Sequence, residues 1–344
     1  MPDHKRHRKS PHIRLWRYIP ILIILGLAVH LLVPQITSLE NSWSVVRSMT
    51  LWAVALAIST QVLSYLGSGF MLHAILDTNH QALSTLKGAL ITMASASIGL
   101  VAGGWVGAAA ASYGWIHQES NDGDSATLAG TLPALLNNAV LAGVALIGTT
   151  YLLFVHDLNR AKLIAFGVIL LVICVLILSI VAALHSPKLV TRLAVRLASR
   201  WAALRHKAYD LEETIDSVRQ FILAWKSLGD GNWRRPALGA IANIGFDMLT
   251  LYFLFIATGY NVSLDVLFAG YGLPFILGKM AFLFPGGVGV MEASMVAMYD
   301  SLHVPNAVSV VVILGYRLFS FWLPSLLGFA AAAYLRRKSY KKPK

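Results

Sequence analysis

Charged residues are scarce in this chain, and cysteine is almost absent. Of 344 residues, 13% are charged and one is a cysteine, whereas about a quarter of the residues in a soluble domain are charged. A single cysteine excludes an intrachain disulfide framework. The sequence also lacks the His and Cys spacings typical of metal sites and the Ser, His and Asp set typical of nucleophilic catalysis. It therefore indicates no metal, no cofactor and no enzyme.

The scarcity of charge is concentrated in long runs. Four runs of 25 to 32 residues contain no Asp, Glu, Lys or Arg: residues 48–76, 88–118, 125–156 and 163–187. A helix of roughly 20 apolar residues crosses a bilayer core about 30 Å thick, so each run is long enough to cross it. Because lipid offers the backbone no hydrogen bonds, segments at this depth must be helical. The sequence thus predicts an all-α polytopic membrane protein.

Most of the positive charge lies at the ends of the apolar segments. The formal net charge is +12, and 22 of the 28 Lys and Arg residues fall within residues 1–17, 185–235 and 336–344. Basic residues at such positions set the orientation in the membrane and contact anionic headgroups. We therefore expect membrane lipids as partners and no nucleic acid, despite the basic composition.

The distribution of charge also constrains the topology. Eight hydrophobic segments can be drawn: 15–34, 50–76, 88–116, 125–154, 162–184, 236–258, 265–299 and 305–335. If all eight crossed the membrane, the three basic regions would not share one face, which contradicts the positive-inside rule. If 88–116 and 265–299 each enter and leave on the same side, all three regions become cytoplasmic. We predict about six full spans, two re-entrant segments and cytoplasmic termini, in the cell membrane.

This topology implies a simple domain organisation. Basic cytoplasmic tails, 1–14 and 336–344, flank a transmembrane domain at 15–335. No small-x-small cleavage site follows the first apolar run, so we expect it to remain as an uncleaved span. The basic loop 185–235 has arginines and leucines at helical spacing, which predicts an amphipathic helix on the cytoplasmic leaflet.

Both re-entrant candidates contain clustered glycine, and the second also contains proline. The clusters are Gly99, Gly103, Gly104 and Gly107 in the first, and Gly270, Gly272, Pro274, Gly278, Pro285, Gly286, Gly287 and Gly289 in the second. Such clusters break helices, and broken helices at membrane depth are tolerated only inside protein or along a cavity. The two segments enter from opposite faces, and residues 101–104 (VAGG) align with 284–287 (FPGG). This predicts an inverted repeat, a transporter architecture.

Four ionisable residues lie within the hydrophobic segments of the second half: Asp247, Lys279, Glu292 and Arg317. Each costs at least a few kcal/mol near the bilayer centre unless it is paired or hydrated. We predict that Lys279 pairs with Glu292 and that Asp247 pairs with Arg317. Two interpretations remain open. The pairs can fix helix register, or the two cations can bind an anionic group, for which the arginine fork suits phosphate.

The helix after Gly289 leaves a similar choice. Its first N–H groups could face an anion, or the Glu292 side chain could cap them internally. The candidate substrate-binding residues are Arg317, Lys279, Glu292, Asp247, Pro285, Gly286, Gly287, Gly289, Gly103 and Gly104. Asn137, Asn138 and Asn243 are expected to form interhelical hydrogen bonds.

Residues 284–293 (FPGGVGVMEA), with Arg317 about one span later, carry a family resemblance. They resemble the transmembrane region of lysylphosphatidylglycerol synthases, the flippase-like part of multiple peptide resistance factors, over roughly 15–335. The sequence contains no counterpart of the lysyl-transfer domain, so the resemblance implies no aminoacyl transfer. It implies movement of a lipid or a lipid-linked group.

Three functions remain open at this point. The first is a translocase for an anionic phospholipid or lipid-linked substrate. The second is a non-transporting membrane partner of a glycosyltransferase or of a lipid-modifying enzyme. The third is a membrane-embedded transferase, which the missing catalytic set makes the weakest of the three.

Overall fold

The computed structural model describes part of the chain, and all regular structure in that part is helical. The described residues are 43–155, 191–192, 195–196, 199–200, 211–212, 215, 218–219, 232–280 and 287–339. The predicted spans 15–34 and 162–184 lie outside them, as does most of the loop 185–235. The all-α prediction is confirmed, whereas the number of spans stays a prediction.

In the described part of the chain, four long helices are apolar enough to cross a membrane. After the short helix α1 (Trp43–Ser48), they are α2 (Leu51–Asp77), α5 (Gly123–Val155), α6 (Arg234–Ala257), and α9 (Asn306–Arg317) continued by α10 (Leu323–Ser339). They coincide with four of the predicted segments. A π-helical turn, Leu318–Trp322, joins α9 to α10.

The two glycine-rich segments each form a pair of shorter helices. The first pair is α3 (Thr85–Val101) with α4 (Trp105–Ser120), and the second is α7 (Leu264–Met280) with α8 (Val290–Ser301). Positive φ angles mark both breaks, 96° and 68° at Gly103 and Gly104, and 64° and 83° at Gly287 and Gly289. L-residues with a side chain rarely adopt this conformation, so glycine ends the helix there.

The helices α3 and α4 form an antiparallel hairpin. At its open end Lys87 forms a salt bridge of 2.6 Å with Glu119. Near its tip the helices are so close that a Cβ on Gly99 would lie 2.9 Å from the Cβ of Ala108. The segment therefore returns to the level at which it starts, which is the geometry that a re-entrant segment requires.

The helices α7 and α8 form a second hairpin of the same kind. A Cβ on Gly278 would lie 3.4 Å from the Cβ of Met291, near the tip. Two turns away from the tip, a Cβ on Gly270 would lie only 2.2 Å from the ring of Tyr299. Glycine at these positions allows α8 to fold back along α7.

The two halves of the chain meet along α2 and α6, which are antiparallel over their whole length. Arg235 pairs with Asp77 at one end, and the Thr50 N–H donates to the Ala257 carbonyl at the other, at 2.8 Å. In between, Asn243 Nδ2 donates to Ser64 Oγ at 2.9 Å. The interhelical role predicted for Asn243 is confirmed, and its bond links two long apolar helices.

The order of elements is the same in both halves. A long helix, a glycine-broken hairpin and a second long helix occur as α2 to α5 and again as α6 to α10. The last helix of each half packs on the first hairpin helix of the other, α5 on α7 and α10 on α3. Because the equivalent helices α2 and α6 are antiparallel, the repeat is inverted, as the sequence predicts.

Candidate functional site

The second hairpin brings together the ionisable residues that the sequence places at membrane depth. Helices α8 and α9 have 12 residues each and are joined by a short turn. They pack on each other, so the first turn of α8 lies level with the last turn of α9. Glu292 is in the first of these turns and Arg317 is the last residue of the second. Equal helix lengths therefore place these two side chains side by side.

Glu292 and Arg317 form a buried ion pair. Arg317 Nε donates to Glu292 Oε1 at 2.6 Å, and Arg317 and Glu292 are 4% and 0% exposed. The second carboxylate oxygen, Oε2, accepts the Gly289 N–H at 2.7 Å. Of the two interpretations of this helix end, the internal cap is the one that the structure contains. The carboxylate thus stabilises both the helix terminus and the guanidinium.

The guanidinium of Arg317 has further contacts along α8 and the π-helical turn. Its Cζ lies 4.1 Å from the ring centroid of Phe321, a cation–π arrangement. Its Nη1 lies 3.5 Å from the sulfur of Met291. The π-helical turn sets this geometry, because it begins directly after Arg317 and carries Phe321. Such turns are frequent at functional sites.

The predicted pairing of Asp247 with Arg317 is wrong. Arg317 pairs with Glu292 instead. The predicted pairing of Lys279 with Glu292 stays a prediction, because the side chain of Lys279 lies outside the described part of the structure. The physical reason is the short hairpin between α8 and α9, which aligns residues 25 positions apart. The equal helical runs on either side of Pro305 are the sequence signal that identifies this pair.

Asp247 lies in the middle of α6 and accepts hydrogen bonds from three neutral side chains. Gln61 Nε2 of α2 donates to Oδ1 at 3.1 Å. Tyr271 Oη of α7 donates to Oδ2 at 2.6 Å, and Tyr316 Oη of α9 donates to the same oxygen. We call Asp247 and these three donors the Asp247 cluster.

Sequence reasoning missed the three donors of the Asp247 cluster. Tyr271 lies between two glycines of the second hairpin, and Tyr316 directly precedes Arg317. A phenol buried in an apolar helix needs a partner for its hydroxyl. Two tyrosines near a lone carboxylate are the signal that could have found them.

The cluster and the ion pair are linked through α9 and the π-helical turn. Tyr316 and Arg317 are adjacent, so one turn of α9 serves both groups. Tyr65 of α2 donates to the Ser320 carbonyl at 2.9 Å, which fixes the π-helical turn against the first half of the chain. The rings of Tyr271 and Phe275 stack at 4.4 Å beside Tyr316. The Asp247 cluster and the Glu292–Arg317 pair therefore contribute a few polar atoms that aromatic rings surround.

The other predicted site residues have different positions. Gly287 and Gly289 are buried at the tip of the second hairpin, next to the ion pair. Gly103 and Gly104 are exposed at the tip of the first hairpin, with open space around their α-carbons. The side chain of Lys279 lies outside the described part of the structure, as do Pro285 and Gly286.

The sequence has relatives among membrane proteins. A UPF0104 membrane protein of Methanocaldococcus jannaschii is 26% identical over 137 residues, 39% of this chain and 40% of that protein. One of Pyrococcus horikoshii is 36% identical over 85 residues, 24% of this chain and 25% of that protein. One of Methanothermobacter thermautotrophicus is 33% identical over 88 residues, 26% of each chain. The chain thus spans less than half the length of these relatives.

The family match is broader than the match to any of these relatives. The sequence model of the family described as the lysylphosphatidylglycerol synthase TM region matches residues 21–328. This range includes both hairpins, the Asp247 cluster and the Glu292–Arg317 pair. It agrees with the helical structure and with four helices apolar enough to span a bilayer. The chain is a multi-pass membrane protein that belongs to the family of lysylphosphatidylglycerol synthase transmembrane regions.

Proposed function

We propose that this protein moves an anionic phospholipid or a lipid-linked anionic group between the leaflets of the membrane. The observation that carries the proposal is the Glu292–Arg317 pair at the broken tip of the second hairpin. An ionisable side chain within a membrane segment is expensive, and such residues usually mark a substrate or ion pathway. The proposed role is transport, without chemical change of the lipid.

The inverted repeat supports the same function. In secondary transporters with inverted repeats, the substrate site lies near the midplane, where discontinuous helices of the two halves meet. Here each half contributes one discontinuous hairpin, and each hairpin packs on the last helix of the other half. A movement of one half relative to the other would change the exposure of both hairpin tips. This is the motion that alternating access requires.

The ion pair also suggests which substrates bind. A phosphate or phosphodiester group competes with Glu292 for the guanidinium of Arg317, because arginine donates two parallel hydrogen bonds to such groups. When Glu292 is displaced, it retains its bond to the Gly289 N–H, so its charge stays partly compensated. A substrate without an anionic group has no negatively charged acceptor that could replace Glu292 at the guanidinium of Arg317. Selectivity for anionic lipids follows.

Leaflet exchange in reconstituted liposomes tests the proposal. The full chain is reconstituted with fluorescent phosphatidylglycerol, phosphatidylcholine or a polyprenyl phosphate. A membrane-impermeant reductant then measures the fraction of label that reaches the outer leaflet. We expect exchange of the anionic lipids above the level of protein-free liposomes, and little exchange of the zwitterionic one.

The substitution Arg317→Lys separates recognition from folding. Lysine keeps the charge beside Glu292 but cannot form the two parallel hydrogen bonds to phosphate. One lost bond to a charged group is worth about 1.5–3 kcal/mol, so exchange should fall by roughly 10- to 100-fold while folding is preserved. Arg336→Lys, at an exposed arginine of α10, is the matched control and should exchange lipid like the parent.

Two outcomes would contradict the proposal. Undiminished exchange by a well-folded Arg317→Lys protein would leave the ion pair as a structural feature alone. The absence of exchange with every lipid would favour the alternative of a non-transporting partner. In that case the protein should copurify with a glycosyltransferase or a lipid-modifying enzyme.

A further inference from the structure

The Asp247 cluster surrounds one carboxylate with neutral donors only. The three side chains that bond Asp247 are an amide and two phenols. No Lys, Arg or His among the described residues forms a salt bridge with it. Asp247 follows Arg234 by 13 residues in α6, about 20 Å along the helix axis, which places it near mid-membrane. An unpaired negative charge at this depth is costly, and a proton would neutralise it.

The ionisable groups around Asp247 come from each helix that packs on α6. From α2 there is Tyr65, whose hydroxyl bonds the Ser320 carbonyl. The helix α7 contributes Tyr271, and α9 contributes Tyr316 and Arg317, whose charge is balanced by Glu292. Along α5 no ionisable side chain occurs between Asp124 and Tyr151. Arg317 is the one cation among these described groups, and the Glu292 carboxylate already balances its charge.

Gln61 provides an acceptor for a proton on Asp247. Gln61 is 5% exposed, and its Oε1 is a buried atom without a hydrogen-bond partner in the described structure. Its Nε2 donates to Asp247 Oδ1. A half-turn of the amide exchanges these two atoms, so Oε1 would then face Oδ1 and accept a hydrogen bond from a protonated carboxyl. The same side chain can therefore serve both protonation states.

We propose that Asp247 binds a proton and that proton uptake and release at this residue is coupled to lipid movement. The coupling step rests on the proposed function, whereas proton binding itself does not. One proton from water adds to Oδ1, and the carboxylate becomes a neutral carboxyl. The hydrogen bond from Gln61 Nε2 to Oδ1 is the one contact that breaks. The proton returns to water when the cycle reverses.

Protonation has a structural consequence because the two phenols on Oδ2 attach α7 and α9 to α6. Tyr271 is in the second hairpin, and Tyr316 is in α9 next to Arg317. Hydrogen bonds to an ionised carboxylate are roughly twice as strong as those to a neutral group. Proton uptake therefore weakens the attachment of α7 and α9 to α6 and favours movement of the hairpin. Asp247 is partly exposed, whereas Glu292 is fully buried, so Asp247 is the more accessible of the two carboxylates.

Infrared spectroscopy of the reconstituted full chain tests proton binding directly. Between about pH 5 and pH 8, exposed carboxylates stay ionised because their ordinary pKa is near 4. We expect a protonated-carboxyl band in the parent at these pH values, and we expect it to be lost in Asp247→Asn. The control Asp300→Asn, at an exposed position of α8, should retain the band. A parent without such a band, or one whose band persists in Asp247→Asn, would overturn the proposal.

A second variant covers the case in which Asp247→Asn does not fold. Tyr271→Phe removes one donor from Oδ2 and keeps the carboxyl, so the band should appear at a higher pH than in the parent. An unshifted band in this variant would show that another carboxyl carries the proton.

Liposomes with a pH gradient test the coupling. Anionic lipid exchange by the parent should accelerate when the gradient is imposed, and this acceleration should be absent in Asp247→Asn. Exchange that ignores the pH gradient, or that responds to a sodium gradient instead, would overturn proton coupling and leave the proposed function intact. A parent that exchanges no lipid at all would overturn the proposed function, and the infrared band would still decide whether Asp247 binds a proton.

Discussion

The substitution Glu292→Ala should destabilise the fold more than any change on the exposed face of α8. It removes the carboxylate that accepts hydrogen bonds from Arg317 Nε at 2.6 Å and from the Gly289 N–H at 2.7 Å. Arg317, which is only 4% exposed, would lose the carboxylate to which its Nε donates. The guanidinium cannot lose its proton, so the charge persists.

The expected loss of unfolding free energy follows from these two hydrogen bonds to Glu292. Breaking a buried ion pair by removing one partner costs about 3–5 kcal/mol. Loss of a helix-capping acceptor adds about 1 kcal/mol. The free energy of unfolding should therefore fall by about 4–6 kcal/mol, a large share of the 5–15 kcal/mol that is typical of a folded protein.

The measurement is reversible unfolding of the full chain in mixed micelles, followed by tryptophan fluorescence. Asp300→Ala is the matched control, because Asp300 lies in the same helix and is exposed. Its unfolding free energy should stay within about 0.5 kcal/mol of the parent's. The double variant with Arg317→Met should recover part of the loss, because it removes the buried guanidinium together with its carboxylate.

Two results would refute this reasoning. One is a Glu292→Ala protein that unfolds within about 1 kcal/mol of the parent, which would mean that the guanidinium finds another partner. The other is a double variant whose loss is the sum of the two single losses, because independent side chains add in this way and paired ones do not.

Three further predictions concern the scaffold. Gly270→Ala should lower the unfolding free energy by roughly 1–3 kcal/mol, because a Cβ there would lie 2.2 Å from the Tyr299 ring. The control Gly245→Ala should be neutral or stabilising, because a Cβ there would meet no atom within 4 Å. Asn243→Ala should cost about 1–3 kcal/mol in the same assay, because it leaves buried acceptors unpaired. A cysteine at Ser120, in a background without the native cysteine, should resist an impermeant thiol reagent added to intact cells; ready labelling would contradict the cytoplasmic side.

The fold was largely predictable because membrane depth constrains the backbone so strongly. Long uncharged runs must be helices in lipid, and clustered glycine must interrupt them. The break near Gly103 and Gly104 and the break near Gly287 and Gly289 therefore follow from composition. The antiparallel contact of α2 with α6 follows from the inverted topology, which the distribution of basic residues predicts.

The partners of the buried charges were not predictable by the same reasoning. Charge balance alone allows several pairings of two acids and two bases. The pairing that forms depends on the turn at Pro305, which places Glu292 level with Arg317. Composition alone does not predict that alignment. The Asp247 cluster was missed for a related reason, since three of its four members are neutral and do not register in an analysis of charge.

The two repeats share a backbone but differ in chemistry. The starts of α2 and α6, Leu51 and Arg234, are 183 positions apart, as are those of α5 and α9. At this offset, Ser64, Ala109 and Ala134 stand where the second half has Asp247, Glu292 and Arg317.

Among the described residues, both halves therefore share the helical framework, and the second half supplies Asp247, Glu292 and Arg317 at membrane depth. In the proposed transport cycle, a two-fold motion would exchange the exposure of the two hairpin tips while a single ionic group binds the substrate. In that cycle, an arginine at the equivalent position of the first repeat, Ala134, would be expected to compete with Arg317 for the anionic group. An asymmetric charge distribution on a symmetric backbone avoids that competition.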